Sequence, residues 1–306
     1  MKLVKQSFEI LEQTDFSLKG IKQFIERCGR VCYKSEDKIT DTSYEKFVDM
    51  LERKDHARPL EFGTVHLKMP WKTFSNFIGF CVSKGFWDSC WIKFHVDRDS
   101  EDKTVYITTN YRYYKRLKSL RPLYGYINIA EFFTEEDNKF YPKRYTVHFI
   151  TNRVTMDSFR THVTLSHLGE STRYCDYGRD RFDNEITCVI PNWCSDLIEG
   201  NSYDLSICEY GLIQVENLSE KSAKWVESMC QAEQDYMDLL NDGCTAQEAR
   251  DVLPLGVKSE LISCGFGSAW CNFFYRRCAK DAHPMAREIA IPLQDKFKEM
   301  GLSFVY

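Results

Sequence analysis

The chain has 306 residues, 43 % hydrophobic and 14 % aromatic, which supplies a sizeable core and excludes a disordered protein. Its 41 basic and 45 acidic residues give a formal charge of −4, so neither a general nucleic-acid binder nor a membrane-surface binder is expected, and an anion site has to be a local cluster. The 13 cysteines form no CxxC pair or zinc-type spacing, no apolar run approaches the roughly 18–20 residues of a membrane span, and the opening MKLVKQSFEILEQTDF lacks an apolar h-region. A reduced, cytoplasmic protein without a resident metal is expected, with its cysteines as core filler.

In chain order, Ile21, Phe24, Ile25, Cys28 and Val31 recur at helical spacing, and Phe47, Val48 and Leu51 repeat the pattern over 43–51. KSEDKITDTS separates this helix pair. Residues 64–69 alternate like a strand, with Val65, Leu67 and Met69 on one face. WKTFSNFIGF reads as helix and TVYITTN as strand, followed by the basic–aromatic run NYRYYKRLKSLRPLY (110–124). That run is a solvated helix face, the border of an anionic substrate tail or a single-strand nucleic-acid surface. RYTVHFITNRV (144–154) alternates again. If it pairs with 64–69, residues 70–143 are a long insertion between the two strands.

NEITCVIP is a third strand, stopped by Pro191. Residues 219–240 form the best helix, stopped by Asn241-Asp242-Gly243. Thr245 and Glu248 have capping-box spacing for a short helix that carries Arg250. Further helices are expected through 257–262 and 270–278. The economical reading is one α+β domain over 1–306 with a central, mostly antiparallel sheet flanked by helices.

The polar stretch FRTHVTLSHLGESTRYCDYGR (159–179) concentrates the chemistry. Arg173, with Arg250 in EARDVLPL and Arg277 in FFYRRCA, either forms ordinary surface ion pairs or clamps a phosphate or a uracil ring with planar guanidinium forks. His162, His167 and Glu170 lack the H-E-x-x-H spacing of a zinc site, and no G-x-S-x-G elbow supports a serine nucleophile. SCGFGSAW lacks the strand–turn–helix context of a dinucleotide loop.

Four stretches, RVCYKSED (30–37), DHARPLEFGTVHLK (55–68), ESTRYCDYGRDRFDNEITCVIPNW (170–193) and ARDVLPLGVKSEL…WCNFFYRRC…DAHPMAREIA (249–290), resemble the flavin-dependent thymidylate synthases, the ThyX family, in the family's order. YITTNYR (106–112) resembles members with a long insertion at this place. The resemblance implies a ThyX-like fold and a homotetramer with FAD at subunit interfaces. It implies conversion of dUMP to dTMP with methylenetetrahydrofolate as carbon donor, NADPH as reductant and no enzyme cysteine attacking the base. Residue by residue, it places Arg173 and Arg250 on the substrate phosphate, with Glu170, Ser171 and Thr172 in the same substrate loop. It places Arg277 against the uracil, where a cation stabilises charge developing on the ring oxygens. It puts His56, Glu61 and Asn272 beside the flavin.

One motif departs from the family. The signature R-H-R-x7-S aligns with Thr161-His162-Val163 and Ser171, so the histidine remains and both arginines are gone. Arg160 stands one position early, and Phe62 replaces a family histidine after Glu61. The substrate half is retained and the flavin half, with Arg160 and His162, is altered. Two alternatives therefore stand beside thymidylate synthesis: another C5 modification such as hydroxymethylation, or a nucleotide-binding relative without catalysis.

Overall fold

The computed structural model describes residues 1–119, 128–173, 175–179, 182–204 and 218–303. It begins with two strands, β1 (Lys2–Val4) and β2 (Ser7–Leu11). Helix α1 (Leu18–Tyr33) starts where the Ser17 side chain accepts from the Gly20 N–H, and it ends at Lys34, which adopts a left-handed conformation (φ 47°). Helix α2 (Ser43–Arg53) packs on it. Strand β3 (Thr64–Pro70) buries Val65, Leu67 and Met69, as its alternation requires. Residues 71–134 then supply α3 (Trp71–Ser83), β4 (Ile92–Val96), β5 (Thr104–Asn110), α4 (Tyr111–Ser119) and β6 (Phe133–Thr134).

Strand β7 (Arg144–Asn152) turns into α5 (Arg153–Arg160), whose first turn is capped by the Asn152 side chain accepting from the Thr155 N–H at 2.8 Å. Strands β8 (Ser166–Gly169) and β9 (Thr187–Val189) follow, then α6 (Glu220–Asn241) and the short α7 (Ala246–Ala249), which has the expected Thr245/Glu248 capping box. Strand β10 (Lys258–Phe266), α8 (Gly267–Arg277) and α9 (Pro284–Glu299) complete the elements.

The architecture is α+β, with antiparallel sheets flanked by helices. Two four-stranded antiparallel sheets run β2-β7-β10-β8 and β4-β5-β3-β6, and β1 pairs with β9 in parallel. Strands 64–69 and 145–151 therefore do not pair. Strand β3 takes its partners, β5 and β6, from residues 70–143, which build three of the four strands of the second sheet, so this stretch is no mere excursion between two paired strands. Helix α1 serves both sheets. Its Ile21 and Ile25 join the core of the second sheet, while Phe24, Cys28 and Val31 pack on Leu168, Ile262 and Cys264 of the first.

The expected helix at 257–262 is a strand. Strand β10 is central, bonded to β7 on one edge and β8 on the other, and buried on both faces. A strand buried on both faces loses its alternation, so an apolar run alone does not distinguish it from a helix. The basic–aromatic run forms α4 with Tyr111, Tyr113, Tyr114 and Leu117 inward, so only its cationic side is solvated; residues 120–124 lie outside the described residues. Seven of the cysteines described are buried, in keeping with a packing role.

Candidate active site

Strand β8 leads directly into the loop Glu170–Arg173. The Glu170 N–H donates to the Glu260 carbonyl at 2.7 Å, continuing the sheet one residue beyond β8. Arg153, the first residue of α5, donates to the Glu170 carbonyl at 3.2 Å, to Ser259 Oγ at 3.0 Å and to Thr172 Oγ1 at 3.3 Å. The loop backbone is thus tied to the neighbouring strand and helix before any ligand is considered.

The Glu170 carboxylate points inward and is 0 % exposed. Its Oε1 accepts from the Tyr177 hydroxyl at 2.9 Å, and its Oε2 lies 3.5 Å from Lys258 Nζ with no hydrogen bond of its own. Lys258 also donates to Glu260 Oε1 at 2.6 Å. Lys34 reaches the same oxygen from the left-handed cap of α1, and His148 Nε2 lies 2.8 Å from Glu260 Oε2. Burial alone raises the Glu260 carboxyl. The hydrogen bond from His148 and the Lys258 and Lys34 ammoniums outweigh it and hold the group well below the usual carboxylate range. Two lysines thus stand against two buried carboxylates beneath the loop.

Arg173 emerges at the surface and donates its Nε–H to Gln247 Oε1 at 2.8 Å. Gln247 lies on α7, and Arg250 follows three residues later, on the same side of that turn. The carboxylate nearest to Arg250 is the exposed Asp251, at 3.9 Å. The structure therefore joins Arg173 to α7, the helix that Arg250 follows.

Arg277 belongs to a second cluster. At the end of α8 it donates Nε–H to His162 Nε2 at 2.9 Å, and Nη2 donates to the Ser158 carbonyl at 2.6 Å and to Thr161 Oγ1 at 2.8 Å. His162 is 5 % exposed, and burial together with the Arg277 guanidinium lowers its pKa to about 4. It is neutral and accepts, which fixes its proton on Nδ1. His167, also lowered to about 4 by burial, places Nε2 at 3.0 Å from the His162 carbonyl and Nδ1 at 2.9 Å from Ser263 Oγ. Burial and the adjacent Arg276 lower Arg277 itself.

The residues assigned to the flavin divide into two groups. Glu61 is 2 % exposed and committed within the protein: Arg112 of α4 donates to Oε1 and Ser166 to Oε2, each at 2.5 Å. His162 is likewise committed to Arg277. His56, Arg160 and Asn272 are exposed. His56 Nδ1 lies 3.1 Å from the Tyr33 hydroxyl, and Arg160 lies 3.6 Å from Asp157. These three side chains present polar atoms at the surface. Of the buried pair, Glu61 has both carboxylate oxygens engaged, and His162 has Nε2 engaged by Arg277.

Reasoning from sequence missed Lys258, Glu260, Arg153, Tyr177 and Arg112. Lys258 and Glu260 did leave a signal. As charges two apart in an otherwise apolar run, they share one face if the run is a strand.

No curated protein sequence matches the chain. Among solved structures, it is similar to a UMP/dUMP methylase PolB from Streptomyces cacaoi bound with 5-Br dUMP, at 14 % identity and TM-score 0.41, covering 98 % of this chain and 93 % of that one. The same methylase bound with 5-Br UMP matches at 13 % identity and TM-score 0.41, covering 98 % and 92 %. The family model described as thymidylate synthase complementing protein matches residues 142–300, just over half of the chain, and spans β7 to α9 with every residue of the Arg173, Arg250 and Arg277 clusters. The chain therefore belongs to that family, the flavin-dependent thymidylate synthases.

Proposed function

We propose that the protein is a flavin-dependent thymidylate synthase that converts dUMP to dTMP, takes its one-carbon unit from methylenetetrahydrofolate and its reducing equivalents from NADPH, and works as a homotetramer. The observation that carries this reading is Arg173, presented at the surface by a loop that Arg153 ties to β10 and bonded to Gln247 of α7, the helix that Arg250 follows. The Arg173 guanidinium, at the end of a loop anchored in the sheet, and that of Arg250, just after α7, are the forked donors this reading assigns to a nucleotide phosphate.

In this reading Glu170 does not touch the nucleotide. Its carboxylate, held by Tyr177 and Lys258, sets the loop that presents Ser171, Thr172 and Arg173. Arg277 supplies positive charge toward the uracil oxygens, and His162, Ser158 and Thr161 hold its orientation. His56, Arg160 and Asn272 are the residues that would hold the flavin at an interface between copies. When bound, that cofactor supplies the redox chemistry.

A second reading, C5 hydroxymethylation of the same nucleotide, is favoured by one observation: Glu61 and His162, which the resemblance assigns to the flavin, are tied to Arg112 and Arg277. Incubation with dUMP, methylenetetrahydrofolate and NADPH, followed by mass analysis of the nucleotide, tests both. A product one methylene heavier than dUMP supports thymidylate synthesis, and a hydroxymethyl product replaces it with the second reading. No turnover and no dUMP binding overturns both.

A further inference from the structure

Helix α5 opens on a cation, Arg153, where the helix dipole favours an anion, and its first turn holds no acidic residue. Local helix chemistry therefore does not account for an arginine at this position. Its guanidinium is spent elsewhere. Nη1 donates to the Glu170 carbonyl at 3.2 Å and to Ser259 Oγ at 3.0 Å, Nη2 donates to Thr172 Oγ1 at 3.3 Å, and the Met156 sulfur lies 3.9 Å from Nη1. All three oxygens are neutral, and among the described residues no carboxylate pairs with Arg153.

The three oxygens are not equivalent. Ser259 is 0 % exposed and sits on the central strand β10, bonded on both edges, so it is a fixed point. The Glu170 carbonyl and the Thr172 hydroxyl flank Ser171, and Thr172 immediately precedes Arg173. One planar fork thus spans from the sheet to the loop on both sides of Ser171. A lysine ammonium, a single point charge, does not offer that reach.

The main chain of the same residue reaches the other arginine-bearing segment. The Arg153 N–H donates to the Leu255 carbonyl at 3.2 Å, five residues after Arg250. That segment is itself held: the Leu253 N–H donates to the Arg250 carbonyl at 3.1 Å, and the Gly256 carbonyl accepts from the Val189 N–H at 2.9 Å. Arg153 is therefore bonded to the Arg173 loop through its side chain and to the Arg250 segment through its backbone.

We propose that Arg153 positions Arg173 for the substrate phosphate without touching the nucleotide, by holding the loop against β10 and in register with the segment that carries Arg250. The inference rests on the reading of Arg173 and Arg250 as phosphate donors and adds the residue that sets one against the other. Removing the guanidinium leaves the main-chain bond to Leu255 intact, so it releases the Arg173 loop and spares Arg250. That asymmetry separates positioning from a general role in folding.

The full-length protein is titrated calorimetrically with dUMP as wild type, Arg153→Gln, Arg173→Ala and the double variant, and Arg250→Ala is placed on the same two backgrounds. Thermal melts check folding, and Arg153→Lys carries the same cycle if Arg153→Gln does not fold. Arg153→Gln alone is expected to weaken binding about ten-fold. Arg173→Ala should cost about ten-fold in the wild type but less than about three-fold beside Arg153→Gln, whereas Arg250→Ala should cost the same factor on both backgrounds. Unchanged affinity in folded Arg153→Gln overturns the proposal. So does an Arg173→Ala effect that is equal on both backgrounds, or an Arg250→Ala effect that shrinks as much as that of Arg173→Ala. If the wild type does not bind dUMP, or Arg173→Ala alone leaves its affinity unaltered, the phosphate reading itself fails and takes this inference with it.

Discussion

Arg277 donates its Nε–H to Nε2 of a neutral, buried His162 across 2.9 Å, joining the end of α8 to the turn after α5. The bond exists only while His162 is unprotonated, because an imidazolium has no acceptor nitrogen and would repel the guanidinium. Both His162 and His167 have folded pKa values lowered to about 4, below the unfolded value near 6.5. The unfolded chain therefore binds more protons between these values. Stability is fully present above about pH 6.5 and falls as pH drops toward 4, at up to about 1.4 kcal/mol per pH unit for each histidine. Melting temperature measured from pH 4 to 7 checks this. His162→Gln, which cannot titrate, is expected to flatten the slope, and an unchanged slope would refute the assignment.

Arg173→Ala and Arg250→Ala are each expected to weaken dUMP binding by about 1.5–3 kcal/mol, the range for a lost charge-assisted hydrogen bond. The loss should diminish with rising salt, because Arg250 is partly solvated. Calorimetric titration of folded variants gives the answer, and an unaltered affinity in both removes them from the phosphate site.

Lys258→Met leaves Glu170 with Tyr177 alone and takes one of two ammoniums from Glu260. Removing one partner from a buried charge cluster costs about 3–5 kcal/mol. Adding Glu260→Gln should restore part of it, since that exchange removes the charge left in excess. Urea unfolding of the single and double variants measures the coupling. Equal stability of wild type and Lys258→Met would show that the network does not bear on the loop.

Arg112→Ala cuts the bond between α4 and Glu61, leaving a buried carboxylate held only by Ser166. Because Arg112 is 41 % exposed, the expected loss is at the lower end for a charged hydrogen bond, about 1.5 kcal/mol. Glu61→Gln together with Arg112→Ala should lose less than the sum of the two changes. Additive losses would mean that the two residues act independently.

Much of the fold was legible in local pattern. The helices at 18–33 and 43–53, the alternating strands at 64–70 and 144–152, and the Thr245/Glu248 capping box each rest on neighbours within a few residues. Strand β10 was not legible, because its identity depends on bonds to β7 and β8, more than a hundred and about ninety residues earlier in the chain. Nor was the sheet that residues 70–143 build around β3 legible, because it depends on pairing across the chain and not on the expected pairing of 64–69 with 145–151.

The candidate site divides along the same line. The chain by itself determined the residue types: arginines at 173, 250 and 277, the Glu170–Arg173 loop, and the altered motif at 160–163. Only the tertiary structure decided which atoms meet. It turned Glu170 inward onto Lys258 and Tyr177, joined Arg173 to α7, and engaged His162 with Arg277. The physical reason is that a charged side chain declares its chemistry in sequence but not its partner. In a buried setting the partner determines whether that charge faces a ligand or stabilises the fold.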